Sequence, residues 1–329
     1  MNYFYLDNNK GITSWLTTEP LESVVLGEIK WKSCGNISIC CNKKFYEENN
    51  ASESINPSIY FKPHHLSILK SNLQKCARRK EFNIGMSTAI SMSKIYDSSG
   101  VQIGLFELLR RITIIVIEDT LLFNEYSILV WFLCAMTKKF IVKNISILWI
   151  FDIISHIMNS DWQDKSYNKI ENFDTKMYVN KILKSNISTV NKNLLLSILI
   201  RNSFGGMEGD VMMLNSSVVV WLDRFINRIE IPMIYKPVKF KNNELKIEEI
   251  LDESIDFHCS DICTRIKKYV NMKEGYIKKL IWNYSSSINL RENITNENKN
   301  DNVDNENWVM IMPIFKICVN DIKNDMLNN

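Results

Sequence analysis

Three groups of residues in this 329-residue chain carry side chains able to do chemistry. Asp256, His258, Cys259 and Cys263 form the densest set of metal-ligand types, with Cys259 and Cys263 one helical turn apart. Structural zinc takes four ligands, usually as two short-spaced pairs of Cys or His. No second pair stands elsewhere, because Cys34, Cys40, Cys41 and Cys76 follow no zinc spacing. His258, Cys259 and Cys263 are therefore weak metal candidates, buried thiols are the simpler reading, and no metal or other cofactor is expected. A Cys–His nucleophile pair drawn from them would be recognisable only by its geometry.

The second group is acidic. Glu118 and Asp119 close an apolar run, and with Asp161, or with Asp152 and Asp164, they could supply the carboxylates of a metal-dependent nuclease or hydrolase. That enzymatic reading requires them to converge on magnesium. Adjacent helical residues point about a third of a turn apart, so one of the pair can face inward and the other outward. The plainer expectation is an ion pair with Arg110 or Arg111, since a buried carboxylate needs a partner.

The third group is basic: Lys70, Lys75, Arg78, Arg79 and Lys80. Lys75, Arg78 and Arg79 are the candidates for contacting nucleic-acid phosphates. A solvated helix end complementing the C-terminal dipole would need the same residues. A further basic run, Arg265, Lys267, Lys268, Lys273, Lys278 and Lys279, interleaves Tyr269 and Tyr276, a composition that suits single-stranded nucleic acid or an amphipathic helix. Phe204-Gly205-Gly206-Met207-Glu208-Gly209-Asp210 is not a phosphate cradle. Asp210 puts negative charge where phosphate would sit, so a helix-to-helix turn with Asp210 near an N-cap is expected.

The elements that must position these groups read as helices. Only 10 Gly and 6 Pro occur, whereas all-β folds use both freely in turns, so the expected class is mostly α: a multi-helix array with a short mixed N-terminal segment. Segments 1–63 (mixed), 64–292 (helical domain), 293–307 (flexible polar loop) and 308–329 (returning to the core) are expected. Strands are expected at 23–31 and 36–41, followed by a polar loop over 46–57. Leu66, Leu69, Leu73 and Cys76 begin helical spacing. Further helices are predicted at 84–96, from 101, and at 125–138, 142–160, 191–202, 211–229, 244–252, 260–270 and 274–287, with an extended stretch over 231–240. The segment 308–319 suits a strand or a helix.

Charge and leader signals constrain the setting. A formal charge of +3 gives no global pull towards nucleic acid. The apolar runs 112–136 and 141–158 carry Glu118, Asp119, Glu125, Lys143 and Asp152, which argues for buried helices and against a membrane. Residues 1–11 lack the basic start and apolar stretch of a secretory leader, so a reduced, intracellular setting is expected.

Ser71-Asn72-Leu73-Gln74-Lys75-Cys76-Ala77-Arg78-Arg79, the Ala-containing helix after it, Leu109-Arg110-Arg111-Ile112 and Ile117-Glu118-Asp119 together resemble part of the helical region that follows the ATPase core in MgsA/RarA-type AAA proteins. The resemblance covers residues 66–137, about a fifth of the chain, and that family acts around replication forks. It implies that Arg111, Glu118 and Asp119 are structural, in a region serving oligomerisation and scaffolding. No Walker A, Walker B or ATPase domain precedes it here, so no ATPase activity is implied. The leading functional expectation is a non-enzymatic interaction protein, with protein partners and contact with nucleic acid, associated with DNA replication or repair. The alternatives are the carboxylate enzyme and a purely structural subunit of a larger complex.

Overall fold

Among the described residues the secondary structure opens with four short strands, and every longer element after them is a helix. The computed structural model describes residues 2–31, 35–167, 170, 172–285 and 302–328. The chain is mostly α with a short mixed N-terminal segment, as expected from its scarcity of Gly and Pro. It forms two units, Met1–Asn56 with Phe106–Lys239, and Pro57–Leu105 with Phe240–Asn329. Each unit is assembled from two separate stretches, where the sequence pattern had suggested consecutive segments. Periodicity reads neighbours in sequence and is blind to closure over longer distances.

The first unit holds a sheet of strands β1 (Asn2–Asp7), β2 (Ile12–Leu16), β3 (Ser23–Trp31) and β4 (Gly35–Asn42), in the order β2-β1-β4-β3. β1 runs parallel to β4, and the other two pairings are antiparallel. The alternation in β3 and the apolar run in β4 were legible, and the β1–β2 hairpin was not. Residues 37–41 of β4 are all buried, as a central strand requires. Against the sheet lies α5 (Tyr126–Met136), buried from Tyr126 to Ala135. The Trp131 indole N–H donates to the carbonyls of Cys40 (2.9 Å) and Phe4 (3.2 Å), tying helix and sheet together.

Residues 46–57, expected to be a polar loop, begin inside a helix, α1 (Lys43–Ala51). Its N-cap Asn42 accepts from the Lys44 and Phe45 amides, and only Phe45 and Asn49 are buried. One of those two is polar, so no apolar stripe announced the helix. Asn49 earns its burial by bonding the Ile141 carbonyl, the Lys143 amide and the Ser146 hydroxyl.

α4 (Ile103–Asp119), α6 (Asn144–Met158), α7 (Thr175–Lys184), α8 (Thr189–Ser203) and α9 (Glu208–Ile226) complete this unit, apart from the first three residues of α4. Residues 112–117 are helical, settling the ambiguity between strand and helix. The Gly cluster is the α8–α9 turn, with Gly205 at φ +69° and Asp210 accepting from the Met207 amide. Arg201, 2% exposed, reaches from α8 to Thr113 (2.7 Å) and to the carbonyls of Arg110 (2.8 Å) and Gly205 (2.9 Å). Among the described residues no helix is long and apolar enough to cross a membrane.

In the second unit, α2 (Leu66–Arg79) and α3 (Phe82–Ser93) form a hairpin. Gly104 lies so close to the end of α3 that a Cβ there would sit 2.0 Å from the Met92 carbonyl oxygen. Residues 244–252, expected as a helix, make two 3-10 turns instead, Ile247–Glu249 and Asp252–Ser254. Two amides flanking these turns, those of Leu245 and Leu251, are taken by side chains of the hairpin. Asn72, fully buried, donates to Thr88 (2.8 Å) and accepts from the Leu251 amide (3.0 Å) and the Ser254 hydroxyl (2.8 Å). Ser91 accepts from the Leu245 amide (2.8 Å).

α10 (Ile262–Ile266) is shorter than the expected 260–270 helix, and α11 (Glu274–Ser285) follows. The flexible loop expected at 293–307 lies outside the described residues up to 301. From Asn302 the chain is helical, in α12 (Asn302–Asn328), which includes Pro313. Thus 302–307 is helix rather than loop. Asp304 anchors it, accepting from the Tyr276 hydroxyl (2.6 Å) and pairing with Lys279 (2.8 Å).

Removing the Asn72 carboxamide strands the Leu251 amide and the Ser254 hydroxyl in a buried site, while the Thr88 hydroxyl keeps its bond to the Ile84 carbonyl. Asn72→Ala is expected to destabilise by about 2–4 kcal/mol in chemical denaturation. His65, 3% exposed, has its pKa pushed down to about 4 by burial, with His64 and Lys62 adding to the effect. The unfolded chain therefore takes up the His65 proton first. Stability should fall as the pH drops from 6.5 towards 4, and His65→Gln should flatten that part of the profile.

Candidate functional site

Two of the sequence candidates meet each other. Lys75 on α2, 7% exposed, pairs with Asp256 and also bonds the Ser71 hydroxyl at 3.2 Å. Asp256 in turn caps the turn that follows it, its other carboxylate oxygen accepting from the His258 amide at 2.8 Å. An ammonium held this way is withdrawn from phosphate, so Lys75 is corrected from a nucleic-acid contact to an internal one. Arg79 pairs with Glu253 at 3.2 Å on the same side of the hairpin. Arg78 is half-buried and also has an interaction partner. Spacing on α2 could not reveal these pairings, because the acidic partners lie far along the chain.

The metal reading fares no better. His258 is exposed, its Nδ1 3.3 Å from Asp256. The Cys259 thiol donates to the Ser254 carbonyl at 3.1 Å. Burial raises the Cys259 and Cys263 thiols to about 11, which holds both protonated at neutral pH and unsuited to attack a substrate. Cys40 and Cys41, at about 12 through burial, are equally inert. Among the described residues no three His, Cys, Asp or Glu side chains converge to hold a metal ion.

That statement extends to the carboxylates Glu118, Asp119 and Asp161. Asp119 is 1% exposed, Asp161 is exposed, and all three have interaction partners. Adjacent on one helix, Glu118 and Asp119 are buried to different degrees, as the rotation per residue predicts. Asp164, one of the additional carboxylates, is held by Arg224 and by the Ser166 amide at 3.0 Å. Burial would raise its pKa, but these bonds outweigh it and the carboxyl lies below its ordinary value.

Glu118 does border a cavity of about 320 Å³ in the first unit, together with Tyr167, Met212, Met213 and Ser216. Sequence reasoning missed it. Tyr167 and Ser216 stand far apart in the chain, and neither belongs to a motif.

The second basic run is placed differently from the first. Lys267, Lys268 and Lys273 are exposed, in the connection between α10 and α11, and Tyr269 between them is 56% exposed. Neighbouring carboxylates are matched by other cations: Asp261 and Asp325 by Arg265, Glu274 by Lys278, and Asp304 by Lys279. None of Lys267, Lys268 and Lys273 is held in an ion pair among the described residues.

Comparison with protein-family models, with curated proteins and with solved structures finds no match for this chain.

The two ion pairs on α2 should separate cleanly in a mutational cycle. Lys75→Met leaves Asp256 poorly solvated and is expected to cost about 3–5 kcal/mol, with much of the loss recovered in Lys75→Met/Asp256→Leu. Arg79→Ala should cost no more than about 1 kcal/mol, because both members of its pair with Glu253 are partly solvated. Equal losses for the two lysine variants would show that the pair is not the source of the effect.

Proposed function

We propose that this chain is a non-enzymatic, helical interaction protein that contacts nucleic-acid backbones through its second unit. The carrying observation is the exposed Lys267-Lys268-Tyr269 run with Lys273, in which none of the three ammonium groups is held in an ion pair among the described residues. Three ammonium groups suit phosphates, and an exposed Tyr ring between them offers a base a stacking face. Such a surface recognises a single strand without reading its sequence. Arg78 and Lys70 on α2 stand as secondary contacts, each half-buried.

An association with replication or repair machinery belongs to the same proposal, and it rests on the resemblance of residues 66–137 to MgsA/RarA-type proteins. The enzyme reading has no comparable support, because it needs carboxylates that converge. A purely structural subunit would need no nucleic-acid contact, and the binding measurement separates the two.

Fluorescence anisotropy with a labelled single-stranded oligonucleotide at low salt tests the proposal. Wild type should bind with a strong salt dependence. Lys267→Glu/Lys268→Glu/Lys273→Glu should lose at least roughly tenfold in affinity and flatten the salt slope by about 2. No binding by wild type, or an unchanged triple variant, refutes it. Native mass spectrometry of the chain purified from its source addresses the second part, which requires replication or repair proteins to accompany it.

A further inference from the structure

Trp282 on α11 is 42% exposed, which leaves a large apolar face in water. Two further rings back it. The His258 ring lies 6.1 Å from Trp282, edge to face, and the Phe257 ring lies tilted 4.0 Å from His258. Nδ1 of His258 is also 3.3 Å from the Asp256 carboxylate, so the imidazole is held from a second side. Rings fixed in this way have little freedom left to lose when another flat ring is laid on them.

The same side of α11 leads back to the basic connection. Glu274, Lys278 and Trp282 recur every four residues, so they share one face of the helix. The Glu274 carboxyl is held below its ordinary value by Lys278, 2.7 Å away, and further by Lys267. Lys267 therefore lies towards the N-terminal end of that face, and the three rings lie at its other end. From Glu274 to Trp282 the helix rises about 12 Å. Nucleotides stacked as in one strand of a duplex are about 3.4 Å apart, so about four of them cover that length. The carboxylates along the way are matched, Glu274 by Lys278 and Asp256 by Lys75, so neither meets a phosphate with an uncompensated charge.

We infer that Trp282, backed by His258 and Phe257, is a second base-stacking station for single-stranded nucleic acid, reached along α11 from the phosphate contacts at Lys267, Lys268 and Lys273. The inference rests on the nucleic-acid reading above, and it adds the path of the strand and a minimum length of about four nucleotides. Stacking adds affinity without adding charge, and it accepts any base because every base has a π-face.

The probes are a labelled oligodeoxyadenylate about eight nucleotides long and an abasic strand of the same length, followed by fluorescence anisotropy with the full chain. Trp282→Leu keeps an apolar side chain and removes the π-face. It should weaken oligodeoxyadenylate binding at least about fivefold and leave the salt slope unchanged, whereas the lysine triple variant lowers both. Trp282→Phe should recover most of the loss. The abasic strand should bind wild type and Trp282→Leu alike. Trp162→Leu, at a 70% exposed indole in the first unit, should change nothing. If Trp282→Leu fails to fold by circular dichroism, photocrosslinking of wild type to a bromodeoxyuridine strand decides, and the adduct should map to the α11 peptide that holds Trp282. If wild type binds and the lysine triple variant does not, but Trp282→Leu binds as wild type does, the inference falls and the nucleic-acid reading stands. No binding by wild type overturns both. The inference is also overturned if the adduct maps elsewhere, or if polyglutamate binds as tightly and loses as much on Trp282→Leu, since it carries no bases to stack.

Discussion

The carboxamide of Asn72 has no solvent to fall back on, and the second unit is arranged around satisfying it. Its donor goes to Thr88 on the neighbouring helix, and its acceptor takes the Leu251 amide and the Ser254 hydroxyl from a segment far along the chain. The Leu251 amide, taken by Asn72, lies between the two 3-10 turns and is unavailable to a helix ladder running through them. The turns in turn present Glu253 and Asp256 to Arg79 and Lys75. One buried polar group thus ties the α2–α3 hairpin to the segment that carries these carboxylates.

The fate of the reactive side chains is a consequence. A thiol buried among apolar neighbours stays protonated, and a cation enclosed with a carboxylate is withheld from external anions. What is left for other molecules is therefore what the fold has not used, such as the exposed basic connection between α10 and α11. Lys75 and Lys267 illustrate the difference, since both looked alike as lysines in basic clusters.

Most helices were legible because their inner faces carry apolar residues at three- and four-residue spacing, as with Leu66, Leu69 and Leu73 in α2. Strand β3 was legible through alternation, and β4 through its apolar run. The failures share a physical cause. α1 buries Phe45 and Asn49 and so shows no stripe, and residues 244–252 have helical spacing whose backbone bonds are diverted elsewhere. Basic residues could be located but not sorted into exposed and internal, because burial of a charge depends on a partner that spacing on one helix cannot show. The cavity was invisible for the same reason, its Tyr167 and Ser216 being joined only by folding.

The interleaved order of the two units bears on how the chain comes off the ribosome. It passes between units after residues 56, 105 and 239, so neither unit can close on the stretch made first. The sheet and α1 wait for α5 and Trp131. The α2–α3 hairpin waits longer, with Leu69, Leu73 and the Asn72 carboxamide unsheltered, until residues 245–254 have been translated. A polypeptide stalled or truncated near residue 240 would hold a first unit able to complete itself and a sticky orphan hairpin unable to. Removing residues 245–254 would therefore unseat a hairpin encoded well before them.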